Sequence, residues 1–304
     1  MKLLDTVQYK KFFRSRTGKV VTIGGAILAS YGTYQIWQSF KSSKKGVVWD
    51  IGASNTFNHL EKHLSNLKEL DIKHVIVKVH DIDHSASARF NFGSFPLEKL
   101  QAFQKLLAKN KIGMSIVIWP VPNPQWIQSM ENKLIPVLST LDLETVELEA
   151  EGNWSAGAVS GYSDLNEAAL ALTLPFKGTG VKIGMVTHSG RIGSTALSFH
   201  NLINFVVPMA YSTANKGKLP GETQTKMHKK SLKYGVPIHM GLPAWDQEGF
   251  ENLSGEEAME LAALTSLSFR NVSELRWWSW KWIGGTNGTP RNQYAFDAIK
   301  SLKA

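Results

Sequence analysis

Eight β-rich runs, recurring at roughly 25–35 residues with amphipathic helical stretches between them, predict an α/β chain closed into a (β/α)8 barrel. Two further observations point the same way. The 259 residues after Lys45 are the usual room for eight βα units. The first run ends in Asp50-Ile51-Gly52-Ala53-Ser54, without the glycine-rich phosphate fingerprint that an open doubly wound sheet would carry.

The runs are 47–51, 75–81, 113–120, 145–151, 181–188, 205–211, 237–242 and 274–282, with helical patterning over 58–70, 97–109 and 255–269. The 304 residues are 43% hydrophobic and 19% charged, which supplies a packed core and excludes a disordered chain. No cysteine is present, so a disulfide scaffold, a thiolate metal site and a cysteine nucleophile are all excluded.

The net charge of +9 is concentrated at one end. Residues 1–45 hold nine basic residues and one acid, leaving 25 basic and 24 acidic residues for the body. A nucleic-acid-binding body needs a basic excess, and this one has almost none, so no nucleic-acid partner is expected. The excess flanks an uncharged run over 20–40, which as a helix would span ~30 Å, the hydrocarbon thickness of a bilayer.

The segments therefore read as a basic 1–19, a membrane-spanning signal-anchor over 20–40, a linker over 41–46 and a barrel over 47–304. The denser positive cluster lies upstream, which places the N-terminus in the cytoplasm and the barrel on the extracytoplasmic side. A cleaved signal peptide and a soluble or interfacial amphipathic helix are the alternatives for 20–40.

A barrel carries its chemistry at the C-terminal ends of its strands. There the sequence places Trp49 and Asp50, His80 and Asp81, Trp119, Glu149 with Glu151 and Trp154, His188, Tyr211, Trp245 with Asp246, and Trp278 with Trp280. Carboxylates among flat indole faces describe a sugar cleft: pyranose C–H faces stack on the rings and polar groups take the hydroxyls. A polysaccharide is the expected partner.

The fourth run is the most informative. Side chains alternate along a strand, so Glu147, Glu149 and Glu151 share one face and Val146, Leu148 and Ala150 the other. The outer face of a barrel strand packs on helices and must be apolar, which turns the three glutamates inward. Crowded carboxylates repel, raising the proton affinity of at least one. Glycosidic cleavage uses that difference, one carboxyl donating a proton and another remaining ionised. Glu151, nearest the mouth, is expected to be the general acid. Glu149 would tune it or assist the nucleophile, and Lys78 is expected to neutralise Glu147. The stretch His80-Asp81-Ile82-Asp83-His84, with His188 or His239, could ligate a metal, but alternation splits His80 from Asp81; no metal and no cofactor are assigned.

The acids at 144, 147, 149 and 151 resemble the strand-4 motif of family 18 chitinase-like enzymes. In that family the last Glu is the acid, and the carboxylate two residues before it orients the substrate's acetamido group. Pro208-Met209-Ala210-Tyr211 resembles that family's Met-x-Tyr signature, which implies that Tyr211 supports the reacting acetamido group, and Trp280 would floor the sugar site. The chain departs from the pattern in having Glu for the earlier acids, Ser212 after the Tyr, and no glycine pair in 115–119. Family 25 lysozymes are also similar, with Asp50 matching their strand-1 acid and Glu149 and Glu151 their strand-4 pair. These resemblances imply a hydrolase of N-acetylated polysaccharide, and with the anchor they suggest peptidoglycan glycan strands and a phage-endolysin type of lysis. A non-catalytic sugar-binding barrel and a structural or virion barrel are the alternatives.

Overall fold

The computed structural model describes residues 44–49, 60–80, 89–92, 95–157, 159–187, 198–211, 220–245, 253–285 and 291–302. Eight parallel strands close into a barrel in chain order. They are β1 (Lys44–Trp49), β2 (His74–His80), β3 (Gly113–Ile118), β4 (Thr145–Glu149), β5 (Lys182–Thr187), β6 (Phe205–Pro208), β7 (Ile238–Pro243) and β8 (Val272–Trp278). Around them lie α1 (Leu60–Glu69), α2 (Leu97–Lys109), α3 (Pro124–Leu138), the short α4 (Asn153–Ala156), α5 (Leu165–Thr173), α6 (Pro220–Ser231), α7 (Gly255–Leu267), the short α8 (Trp280–Ile283) and α9 (Gln293–Ser301).

All eight expected runs are strands. β1 begins at Lys44, inside the stretch read as linker, because Lys44 and Lys45 pair with Glu274 and Leu275 of β8 and so join the ladder that closes the barrel. β8 stops at Trp278, four residues early, and the chain turns into α8. The 20–40 run lies outside the described residues; among those described, no helix is long and apolar enough to cross a membrane.

Alternation decides which residues meet the helices. Val75, Val77 and Val79 of β2, Met114, Ile116 and Ile118 of β3, and Val146 and Leu148 of β4 face outward into one core. Leu100, Phe103 and Leu107 of α2 and Trp126, Met130 and Leu134 of α3 belong to the same core. Those helical residues recur at spacings of three and four, which lines them up on a single face. Each fully buried side chain of this size stabilises the fold by about 1.5–3 kcal/mol.

Helix starts are fixed locally. Asn123 accepts from the backbone N–H of Gln125 at 2.8 Å and of Trp126 at 3.2 Å, with Pro124 at the first helical position, where no N–H donor is required. Ser254 and Glu257 form a reciprocal capping box on α7. Such caps contribute about 1 kcal/mol each and anchor the helix ends nearest the barrel mouth.

The inward faces form three tiers. At the N-terminal base sits an ionic cluster, in the middle an apolar band of Val48, Ile76, Val117, Val186, Val207 and Met209, and at the C-terminal mouth a mixed aromatic and charged group. Room in the base tier comes from missing side chains. A Cβ at Gly46 would collide with the Glu274 carboxylate, and one at Gly184 would land on the Phe205 ring.

Candidate active site

The acidic ladder of β4 points into the barrel as its alternation requires: Val146, Leu148 and Ala150 join the outer core, while Glu147 and Glu149 find buried cations inside. Their partners differ from expectation. Lys78 of β2 does not neutralise Glu147; its Nζ lies 3.0 Å from Glu149 Oε2. The ammonium also sits 5.0 Å from the ring centroids of both Trp119 and Trp278, so it is held between two indoles and a carboxylate. Both Lys78 and Glu149 are almost fully buried, so each is the close opposite charge that the other meets inside the barrel.

Tyr211 completes the group. Burial, then the negative charges of Glu149 and Glu151, push its phenol well above the usual range. It is therefore a protonated hydroxyl at any working pH, able to donate a hydrogen bond next to the two carboxylates. Trp245 lies edge-on to Tyr211 with centroids 4.9 Å apart, and its backbone oxygen accepts from Tyr294 Oη at 3.2 Å. The mouth thus brings together Glu149, Glu151, Tyr211, Trp119, Trp245 and Trp278.

Four expected site residues lie elsewhere. Glu147 sits at the base, 1% exposed, where the Arg276 guanidinium binds its carboxylate. Trp49 shares the parity of Val47, which turns it out into the helix layer, where it stacks on Trp280 at 5.2 Å. Trp280 is fully buried and donates through Nε1 to His63 Nδ1 at 3.2 Å. It lies outside the barrel because β8 ends at Trp278 and residues 280–283 are helical, so strand alternation does not extend to it. Trp278 is the β8 indole that faces inward. Trp154 is also fully buried outside the barrel, donating to Pro120 O at 2.9 Å and packing on Phe199. His80 closes β2, but its side chain, like Asp50, Asp81, His188 and Asp246, lies outside the described residues.

Sequence reasoning missed the base cluster. Glu274 Oε1 receives Arg276 Nε at 2.9 Å and lies 2.8 Å from His74 Nδ1. Arg276 reaches Glu147 through Nη1 and donates through Nη2 to His239 Nδ1 at 2.6 Å. His74 Nε2 and Thr145 Oγ1 both contact Ser115 Oγ at 2.7 Å. Burial pushes the Glu147 carboxyl above the usual range, only partly offset by the Arg276 charge. Glu274 is held far below that range despite its burial, because Arg276 and His74 flank it.

His239 is lowered to about 3, first by burial and then by the Arg276 charge. Hence it is neutral in the folded protein and accepts from Arg276. Between its unfolded value of about 6.5 and about 3, the unfolded chain binds a proton that the folded chain refuses, so stability falls as pH drops through that window. From pH 6.5 to pH 5 the loss from this residue is expected to be on the order of 2 kcal/mol. Glu147 works in the opposite direction, so the comparison that isolates His239 is urea unfolding of wild type against His239→Gln at both pH values. A variant with the same pH dependence as wild type would refute the assignment.

No family model and no curated relative matches this sequence. Many solved structures share the fold. The catalytic domain of a hyperthermophilic chitinase from Pyrococcus furiosus is similar over 86% of this chain and 94% of its own, at 15% identity and a TM-score of 0.59. An active-site mutant of Rhizomucor miehei β-1,3-glucanosyltransferase, in complex with laminaritriose, covers 79% of this chain and 87% of its own at 12% identity and a TM-score of 0.54. Tryptophan synthase subunit alpha from Legionella pneumophila reaches the same TM-score of 0.54 at 9% identity, over 88% of this chain and 98% of its own. Likeness at these identities establishes the barrel; the chemistry has to be argued from the site.

Proposed function

We propose that this chain is a glycoside hydrolase acting on N-acetylated polysaccharide, with peptidoglycan glycan strands as its substrate. The observation that carries this reading is the placement of Glu149 and Glu151 at the C-terminal mouth against Tyr211, beside the indoles of Trp119, Trp245 and Trp278. In this scheme Glu151 donates its proton to the departing glycosidic oxygen, so that the C–O bond breaks with the electron pair leaving on oxygen; a water then forms the new bond to the anomeric carbon and gives its proton to the Glu151 carboxylate, which restores the acid. Glu149, kept ionised by Lys78, stabilises the positive charge that develops at the sugar or holds an acetamido group, and the Tyr211 hydroxyl donates to the same group. The indoles supply the flat faces on which pyranose rings stack. The uncharged 20–40 run, as a signal-anchor, would hold the barrel on the extracytoplasmic side beside its polymer.

Purified full-length protein incubated with peptidoglycan and, separately, with chitin oligomers is expected to release new reducing ends, and mass analysis of the fragments identifies the bond. Absence of release from both substrates would remove the proposal. A second reading, a sugar-binding or scaffold barrel without catalysis, is favoured by one specific feature: the Lys78 ammonium occupies the space between Trp119 and Trp278 where a sugar ring would stack. Saturable binding of the oligomers without any new reducing ends would select it.

A further inference from the structure

The barrel is electrically polarised along its axis. Lys44, Lys73, Lys111, Lys182, Lys233 and Arg270 each stand at, or within a few residues of, the start of a strand, and all are exposed. Six of the eight strands therefore enter the barrel past a cation at the base. Among the described residues, the acids on this rim are Glu69, Asp71, Asp142 and Glu144, and three are matched: Glu69 lies 2.6 Å from Lys300 Nζ, Asp71 2.6 Å from Lys73 Nζ and Glu144 2.9 Å from Lys44 Nζ.

The helices run back from mouth to base and repeat the polarity. Lys109 and Lys230 occupy last turns at the base, whereas Glu98, Glu222, Glu256 and Glu257 occupy first turns at the mouth. Helix dipoles account for the helical lysines. They do not account for Lys44, Lys73, Lys111, Lys182 and Arg270, which precede or begin strands.

We infer that this basal face docks on an anionic lipid surface. The inference deepens the reading of residues 20–40 as a membrane anchor and rests on it for the barrel's closeness to a bilayer, while the charge of the basal face stands apart from it. Three residues separate Phe40 from Lys44, and the four steps between them reach at most about 14 Å. Chain held in the bilayer by the 20–40 run would consequently enter the barrel at its cationic end. Basic residues near acidic headgroups are attracted within a Debye length of the surface. Base-down docking turns the acidic, tryptophan-bearing mouth away from the bilayer and toward a polymer lying outside it.

The test uses the full chain reconstituted in neutral phosphatidylcholine vesicles and in vesicles containing added phosphatidylglycerol. Each sample is labelled with a membrane-impermeant amine acylating reagent, and modification is read lysine by lysine by mass spectrometry. On the anionic vesicles Lys73, Lys111 and Lys182 are expected to label about fivefold more slowly, Lys99 near the mouth is expected not to change, and high salt is expected to abolish the difference. In the variant carrying Lys73→Glu, Lys111→Glu and Lys182→Glu together, checked for folding by circular dichroism, protection of Lys233 is expected to disappear.

Retention on both vesicle types with equal labelling would overturn docking and leave the anchor standing. Retention on anionic vesicles alone, with basal protection and release by salt, would support docking and refute the anchor. Retention on neither would refute both.

Discussion

Replacing Glu151 with Gln is expected to lower the turnover of polysaccharide hydrolysis by about 10²–10⁴-fold while leaving substrate binding nearly intact, because the amide keeps the size of the side chain and loses only its transferable proton. The measurement is reducing-end release by wild type and variant on the same substrate, with far-UV circular dichroism confirming that the barrel is unchanged. Glu149→Gln serves as the companion variant. It removes the charge that faces Lys78, so its loss of activity should come with some loss of stability, whereas Glu151→Gln should be nearly neutral for folding. Glu151 ends the ladder beyond β4 and is only half-buried, while Glu149 is locked inside. A Glu151→Gln protein that retains most of its activity would remove the proton donor from the scheme.

The second large effect is expected at Arg276, which lies far from the chemistry. This one guanidinium, itself 1% exposed, serves Glu147, Glu274 and His239. Arg276→Met leaves two carboxylates in the barrel base with their principal cation gone. Breaking a buried pair in this way costs about 3–5 kcal/mol. For a chain of this size the melting temperature should fall by on the order of 10 °C. The loss comes mostly from stranded charge, so adding Glu147→Leu to Arg276→Met should recover part of it, although Leu has no partner to bind. Thermal melts of the two variants decide the matter. A single variant within about 1 kcal/mol of wild type would show that the cluster contributes little to folding, a real alternative since buried ion pairs often offset their own desolvation.

How far the molecule could be read from its sequence depended on contrast between the two faces of each strand. In β4 the contrast is complete, acids against Val146, Leu148 and Ala150, and the inward ladder follows from alternation alone. In β1 and at the end of β8 both faces are apolar or aromatic. Trp49 and Trp280 therefore carried no signal for inside or outside, and both belong to the helix layer. Pairing was less legible still. Lys78 lies two residues from the end of β2 and reaches Glu149 rather than Glu147, a pairing between strands that the spacing within one strand does not give. The partner of Glu147 stands 129 residues away on β8. A hint of the base cluster was nevertheless present: Glu274 and Arg276 alternate with Leu275 and Trp277, the same pattern of charge against apolar bulk that marked β4. The span of α2 was legible from its apolar spacing alone, and the start of α7 agrees with the Ser254 capping box, although the helix ends at Leu267 rather than 269.

The division of the tryptophans has a spectroscopic consequence. Trp49, Trp126, Trp154, Trp277 and Trp280 are shielded between barrel and helices, while Trp119, Trp245 and Trp278 stand at the mouth. Emission from the first set tracks loss of the fold, and emission from the second responds to whatever enters the barrel. The protein thus carries two intrinsic optical probes, one for its integrity and one for occupancy, which an aqueous quencher such as iodide can distinguish without any added dye.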